Sequence, residues 1–247
     1  MTVSSPTTLA DRLAAVRANI AAACARANRP VESVTLVAVS KTHPAESILT
    51  AIASGQLEFG ENRVEEAESK IPAVQAQTSA QVVWHMIGHV QSRKARDVVA
   101  LFDCIHSLDS LKLAERYSRF AGEFGKSVSI LLEINVSGEA SKSGFDAARW
   151  QNDRLLRESL WDDIRNIIKL PGIQLKGLMT IAPIVDDMEQ ARPVFTALRS
   201  LRDALAADFP EAAWTSLSMG MTDDYPIAIE EGATLVRIGR AIFGPRG

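Results

Sequence analysis

Val34-Thr35-Leu36-Val37-Ala38-Val39-Ser40-Lys41-Thr42-His43-Pro44 is the stretch that decides the fold. From Val34 to Val39 every residue except Thr35 is apolar and several are β-branched, which is the pattern of a strand buried on both faces in a parallel sheet. The run ends at Ser40, and Lys41 stands where the strand runs out. A lysine in that place either snorkels to water or is held in a dry pocket as an amine of lowered pKa.

Outward from this strand the same unit repeats. Upstream, Thr8 and Asp11 form a capping-box start for an amphipathic helix with Leu9, Leu13, Val16 and Ile20 on one stripe, reaching about Asn28. Downstream, Pro44 suits the first position of a helix whose stripe is Ile48, Leu49 and Ile52 and which Gly55 closes. Further strands are expected at Leu57 to Gly60, Val82 to Gly88, Cys104 to Leu108, Ser127 to Val136, Leu175 to Ile181, Leu217 to Met219 and Leu235 to Ile238. Helical patterns fall between them: Val64 to Ile71 stopped by Pro72, Val90 to Leu101, a stripe of Leu113, Tyr117, Phe120 and Phe124, a broken region from Phe145 to Leu170 with Trp150 and Trp161, a stripe of Val194, Leu198, Leu201 and Leu205, and Tyr225 to Ile229. Eight strands, each followed by a helix or the chain end, imply right-handed crossovers and a parallel sheet. At 247 residues the count favours closure over an open sheet, since such barrels run to about 250 residues. The expected architecture is α/β, a single (β/α)8 TIM-type barrel domain over residues 1–247 with an extra N-terminal helix.

Composition narrows the function classes. The net charge is -3 and basic residues alternate with acidic ones, so the basic stripe of a nucleic-acid binder is missing. No segment approaches the ~18 apolar residues of a membrane span, and Met1 to Thr8 lacks the basic and apolar regions of a signal peptide. Cys24 and Cys104 stand alone without CxxC spacing, as core thiols of a reducing compartment do. A cytoplasmic protein with a small-molecule partner, no nucleic acid and no membrane is expected.

In a barrel the functional face is built at the carboxyl ends of the strands, with phosphate often held after strands seven and eight. Here the seventh strand leads into Ser218-Met219-Gly220-Met221-Thr222, and the eighth into Val236-Arg237-Ile238-Gly239-Arg240. Hydroxyls and glycines at those places are the ingredients of an anion cradle, although each piece also makes ordinary turns. Together with Lys41 they point to a ligand with a phosphate at one end and an electrophilic carbonyl at the other, and pyridoxal 5′-phosphate fits. Arg237 beside the pyridine nitrogen would keep that nitrogen unprotonated and weaken the ring as an electron sink; the competing role is an ion pair with Glu230 or Glu231. Asn62 reaches the ligand or pairs with Glu65 at a helix start. His85 and His89 have metal-pair spacing, but strand and Gly88 intervene, so they are expected to be hydrogen-bonded or loop histidines, and no metal site is expected. Lys142 is a loop lysine, solvated or in contact with an anion or aldehyde.

Six motifs taken together resemble a known family. They are Val39-Ser40-Lys41-Thr42, Phe59-Gly60-Glu61-Asn62-Arg63, His85-Met86-Ile87-Gly88, Gly177-Leu178-Met179-Thr180-Ile181, Ser218-Met219-Gly220-Met221-Thr222-Asp223-Asp224, and Val236-Arg237-Ile238-Gly239 with Ala241-Ile242-Phe243-Gly244. In this order, from about Val34 to Arg246, they are similar to the pyridoxal phosphate homeostasis proteins, single-domain relatives of the alanine racemase N-terminal barrel. The resemblance implies Lys41 as the Schiff-base lysine, Ser218, Gly220, Gly239 and the Arg240 backbone near the phosphate, Arg237 facing the pyridine nitrogen, and Asn62 lining the ring pocket. Two features depart from it. Val90-Gln91-Ser92-Arg93-Lys94 replaces the usual Leu-Gln-x-Asn-Lys, and the segment from Gly144 to Gly177 is longer, with Trp150 to Trp161 as an insertion that covers the barrel wall or forms a contact surface.

Racemisation needs an acid/base group on each face of the cofactor, and in the racemases this barrel resembles a tyrosine from a C-terminal β domain supplies one of them. This chain ends soon after its eighth strand, so that domain is expected to be absent. Tyr117 lies on an apolar stripe, leaving Tyr225 as the substitute, with i, i+4 packing on Ile229 as its competing role. The expected function is therefore non-catalytic: a carrier in vitamin B6 homeostasis that buffers pyridoxal phosphate on Lys41 or delivers it to apo-enzymes, acting as a monomer or weak dimer. The alternative is an amino-acid racemase or related lyase using Lys41 and Tyr225.

Overall fold

The structure, a computed structural model, describes residues 8–139 and 142–244. The Ser/Thr-rich start before Thr8, Ser141 in the polar loop and Arg246 at the end of the last motif lie outside the described residues.

Among the described residues nine strands form one sheet: β1 Thr35–Val39, β2 Glu58–Glu61, β3 Val83–Met86, β4 Cys104–Leu108, β5 Val128–Asn135, β6 Phe145–Asp146, β7 Ile173–Met179, β8 Ser216–Ser218 and β9 Leu235–Ile238. Every pairing is parallel, and the ring runs β1-β2-β3-β4-β5-β7-β8-β9 and back to β1. Eight strands thus close a barrel, as the alternating pattern predicts. The two-residue β6 is an addition: it pairs with the carboxyl end of β5 outside the ring, through Ile134 and Phe145.

Closure sorts side chains by parity. Leu36, Ala38, Phe59 and Trp84 face outward into the apolar layer under the helices. The other parity points inward: a Cβ added at Gly60 would lie 3.1 Å from Val37 and from Ile87. Hence Glu58, Gly60 and Asn62 share the interior side of β2, and Val37 and Val39 that of β1.

The helices are α1 Leu9–Arg26, α2 Ala45–Ala53, α3 Val64–Gln75, α4 Ala95–Leu101, α5 Leu111–Phe124, α6 Arg154–Ile168, α7 Arg192–Asp208, α8 Tyr225–Glu230 and α9 Arg240–Phe243. The capping box forms at Thr8 and Asp11. α1 packs on α8 and α9, where Arg12 donates to the Ile242 carbonyl and Arg29 to that of Ile229.

Three local expectations fail. Pro72 does not stop α3, which runs on to Gln75 because Val74 supplies another fully buried anchor. Pro44 is the N-cap of α2 and not its first residue, being held extended at ψ 166°. The run from Val90 splits: a 3-10 turn over Ser92–Lys94 precedes α4, whose first buried residue is Ala95. Between Trp150 and Trp161 the two indoles stack with ring centres 5.7 Å apart, Arg157 lies over both, and both pack on the buried apolar layer.

Candidate functional site

Lys41 occupies the turn after β1, and its neighbours on both sides are clamped. The Ser40 hydroxyl donates to Glu61 at 2.7 Å, Lys70 donates to the Ser40 carbonyl at 3.0 Å and to Glu61 at 2.8 Å, and the Thr42 N–H donates to Glu66 at 2.8 Å. Thr42 is held at φ 66°, a region that β-branched residues avoid, so the clamp pins a strained turn. Burial raises the Glu61 carboxyl above its ordinary range, while the bond and charge of Lys70 pull it back.

Beneath this turn the barrel interior is polar. Arg237, on β9 opposite Val37, is only 5 % exposed. It donates to the Ser218 hydroxyl at 2.5 Å and to the Thr180 carbonyl at 2.9 Å. Burial lowers its pKa to about 10, with Asp224 and Glu133 acting to raise it. A guanidinium has five N–H donors, and these two bonds use two of them. The network continues past Ser218. His106 Nδ1 lies 2.9 Å from the Ser218 Oγ, His106 Nε2 lies 2.8 Å from His85 Nδ1, and His85 Nε2 lies 2.5 Å from Glu58. Burial drives the His106 pKa well below the usual value, with His85 and Arg237 acting in the same direction, so its ring is neutral. Cys104 completes a group with His85 and His106 whose ligand atoms lie within 4.8 Å of one another, but burial pushes its thiol up to about 12.

The remaining mouth residues converge from other strands. A Cβ at Gly239 would sit 3.2 Å from the Val39 carbonyl, which brings the loop after β9 against the strand that carries Lys41. Gly220, at φ 91°, turns under α8, and its carbonyl accepts from the Arg237 N–H at 3.0 Å. The Arg240 side chain pairs with Asp223 at 2.5 Å on the surface, both being exposed. Asn62 rests on Gly88, whose added Cβ would be 2.2 Å from the Asn62 carbonyl, and the buried Asn62 Oδ1 has no hydrogen-bond partner among the described residues. A groove of about 820 Å³ lined by Asn62, Glu66, His89 and Lys94 opens beside it. From β5, Glu133 is buried with Oε2 unpartnered, and burial and Asp109 raise its carboxyl.

Several alternatives are decided here. Asn62 does not pair with Glu65, because α3 is capped at Arg63 without a side-chain bond. Arg237 is not paired with Glu230 or Glu231, which bond to Arg192, Arg26 and Arg199 instead. His85 is in the buried chain, whereas His89 meets Asp109 at 3.1 Å, so the two serve different neighbours. Lys142 donates to the Ile181 carbonyl at 3.0 Å and pairs with Glu139. Tyr117 and Tyr225 are both buried in the apolar core. Sequence reasoning missed Glu58, His106, Glu133 and Lys70; the available signal was charge or imidazole set at inward parity in otherwise apolar strands.

Fold and site define a parallel barrel of the alanine racemase N-terminal class. The family model for that domain, "Alanine racemase, N-terminal domain", matches residues 12–247. The pyridoxal phosphate homeostasis protein of Pasteurella multocida is 41% identical over 239 residues, 97% of this chain and 98% of that protein. PipY of Synechococcus elongatus PCC7942, solved with and without PLP, is 38% identical, covers 96% of this chain and 100% of its own, and gives TM-scores of 0.81 and 0.83. The alanine racemase of Clostridium difficile 630 shares the fold at a TM-score of 0.67 and 16% identity, over 95% of this chain and 57% of the racemase. The chain belongs to the pyridoxal phosphate homeostasis protein family.

Proposed function

We propose that this chain binds pyridoxal 5′-phosphate and holds it reversibly on the Lys41 amine, for buffering or for delivery to apo-enzymes. The observation that carries the reading is the convergence of a half-buried lysine, a buried guanidinium with donors left over and an orphaned amide oxygen at the mouth of one barrel. The bound cofactor would supply an aldehyde that condenses with a primary amine and a ring that withdraws electrons. In support, PipY has been solved with PLP bound and relatives along nearly the whole chain carry the homeostasis name.

The residues divide the work by chemistry. Lys41 bonds the aldehyde. Arg237 donates to the ring nitrogen and, as a guanidinium, keeps it unprotonated, which limits carbanion stabilisation. Asn62 lines the ring, and the backbone around Gly220, Gly239 and Arg240 holds the phosphate, with the Thr222 hydroxyl in reach of the same loop. Supporting a carrier over a racemase is the burial of Tyr225 in the apolar core, which leaves it poorly disposed to serve the second face of a ring. Free Cys24 and Cys104 suit work in the cytoplasm, and among the described residues no helix is long and apolar enough to cross a membrane.

Titration of the purified chain with pyridoxal phosphate, followed by visible absorbance, tests this. A new band that is lost in Lys41→Ala is expected. No band in the wild type, or a band retained in Lys41→Ala, overturns the assignment of Lys41. Turnover of an amino acid that is abolished in Lys41→Ala would replace the carrier reading with the racemase one.

A further inference from the structure

The barrel interior holds a run of polar side chains that cofactor holding, as described above, does not call on. It begins at Glu58, the first residue of β2 and so at the end of the barrel opposite the mouth, where its side chain is 32% exposed. It passes through His85 and His106, which are 3% and 0% exposed, and reaches Ser218 and Arg237 under the mouth. Each link is a hydrogen bond, at 2.5, 2.8, 2.9 and 2.5 Å in turn.

An ionised Glu58 and two neutral imidazoles set the direction of every link. Arg237 has only donors, so Ser218 Oγ accepts from it. At the other end an ionised Glu58 has only acceptors, so His85 Nε2 carries the proton that bonds it. A neutral His85 then accepts at Nδ1, so His106 Nε2–H donates to it. A neutral His106 accepts at Nδ1 and takes the Ser218 O–H. With Glu58 ionised and both imidazoles neutral, one assignment of tautomers satisfies all four bonds, and it runs one way from guanidinium to carboxylate.

We propose that Glu58, His85, His106 and Ser218 are positioning residues that aim Arg237 at the ring nitrogen of the bound cofactor, and that the Ser218 hydroxyl serves Arg237 and not the phosphate. The proposal rests on the cofactor reading above. It reassigns Ser218, which the family resemblance places near the phosphate. With its proton committed to His106 and one lone pair to Arg237, Ser218 presents an acceptor where the guanidinium needs one. Arg237 has no carboxylate in hydrogen-bond contact, so this chain and the Thr180 carbonyl are what orient it among the described residues. Polarisation along the chain draws part of its charge toward Glu58, which lies beyond direct contact. A metal bound by His85, Cys104 and His106 is the rival occupant of the same side chains. Against it, the two imidazoles already bond each other at 2.8 Å, and each spends its other nitrogen on Ser218 or Glu58.

The test compares pyridoxal phosphate with 5-deoxypyridoxal, which has the ring and aldehyde but no phosphate. The full chain and the variants Ser218→Ala, His106→Leu, His106→Gln and Ser218→Ala/His106→Leu are titrated with each by visible absorbance, and their melting is recorded in parallel. Ser218→Ala and His106→Leu are expected to weaken both ligands by the same factor, about tenfold, the scale of one hydrogen bond to a charged group. The double variant is expected to bind within about twofold of either single one, because the two act through one chain. His106→Gln, which keeps an acceptor and a donor, regains most of the affinity. Loss confined to the phosphorylated ligand in Ser218→Ala assigns the hydroxyl to phosphate and overturns the proposal, and this arm stands even if His106→Leu does not fold. Factors that multiply in the double variant, folded variants that bind like the wild type, or a chelator that abolishes wild-type binding also overturn it. Absence of any band in the wild type, or its persistence in Lys41→Ala, instead marks failure of the underlying cofactor assignment.

Discussion

Lys70→Met removes the ammonium that holds the Lys41 turn from behind. Lys70 is 9% exposed at its side chain and Glu61 is 0% exposed, so the pair is buried, and its loss leaves an ionised Glu61 with only Ser40 as donor. Removing one partner of a buried pair costs about 3 to 5 kcal/mol, and the lower end applies because the edge of Lys70 reaches water. About 3 kcal/mol corresponds to a fall in Tm of about 6 to 12 °C for a chain of this size. The pH dependence follows from the raised carboxyl of Glu61. Folded Glu61 keeps its proton to higher pH than the unfolded chain does, so stability falls as pH rises from the ordinary carboxylate range through the raised folded value. Lys70 holds that value down, and without it the window extends upward. The deficit of Lys70→Met is therefore small at about pH 4.5 and complete near about pH 8. Urea denaturation at the two pH values measures it. Lys70→Met/Glu61→Gln should recover to within about 1 kcal/mol of wild type, since a neutral amide can use Ser40 without a counter-ion. A loss below about 1 kcal/mol at pH 8 would class the pair with surface bridges and refute the clamp. So would a double variant no better than the single.

Three further outcomes follow from particular contacts. Asn62→Ala removes a buried amide oxygen that has no partner, so stability should change by less than about 0.5 kcal/mol while pyridoxal phosphate affinity falls about tenfold, a split read by urea denaturation and absorbance titration. Gly88→Ala drives a Cβ to within 2.2 Å of the Asn62 carbonyl, which cannot yield as a flexible side chain would; calorimetry should show a loss of about 1 to 3 kcal/mol, together with weaker cofactor binding. Burial raises the thiols of both Cys24 and Cys104, so neither should react with a thiol reagent at about pH 8 until denaturant is added, as a colorimetric thiol count reports.

The ring of strands was legible because parallel strands buried on both faces read as apolar runs, and the helices between them as stripes. β6 was hidden: Phe145–Asp146 is two residues long, and no periodicity forms over that length. Pro72 misled because a proline inside a helix costs energy locally, whereas the buried Val74 beyond it restores the balance through tertiary packing. At the site, Lys41, Arg237 and the two glycine loops stood out because they fall at strand ends. His106, Glu133 and Glu58 did not, because which parity faces the barrel interior is settled only when β9 closes on β1. The fate of Asn62 was equally local in sequence and tertiary in cause: its backbone packs on Gly88 in the loop after β3, where a Cβ would not fit, and Arg63 takes the N-cap of α3.

β1, which leads into the Lys41 turn, and β9, which carries Arg237, are neighbours in the ring but first and last along the chain. Register places Val37 against Arg237, so the amine and the guanidinium share a site only once the final strand has docked. During synthesis such non-local pairing comes last. A chain arrested before β9 therefore exposes an amine with no opposing cation and no loop to hold an anion. On the reading proposed above, the complete site therefore exists only in finished molecules.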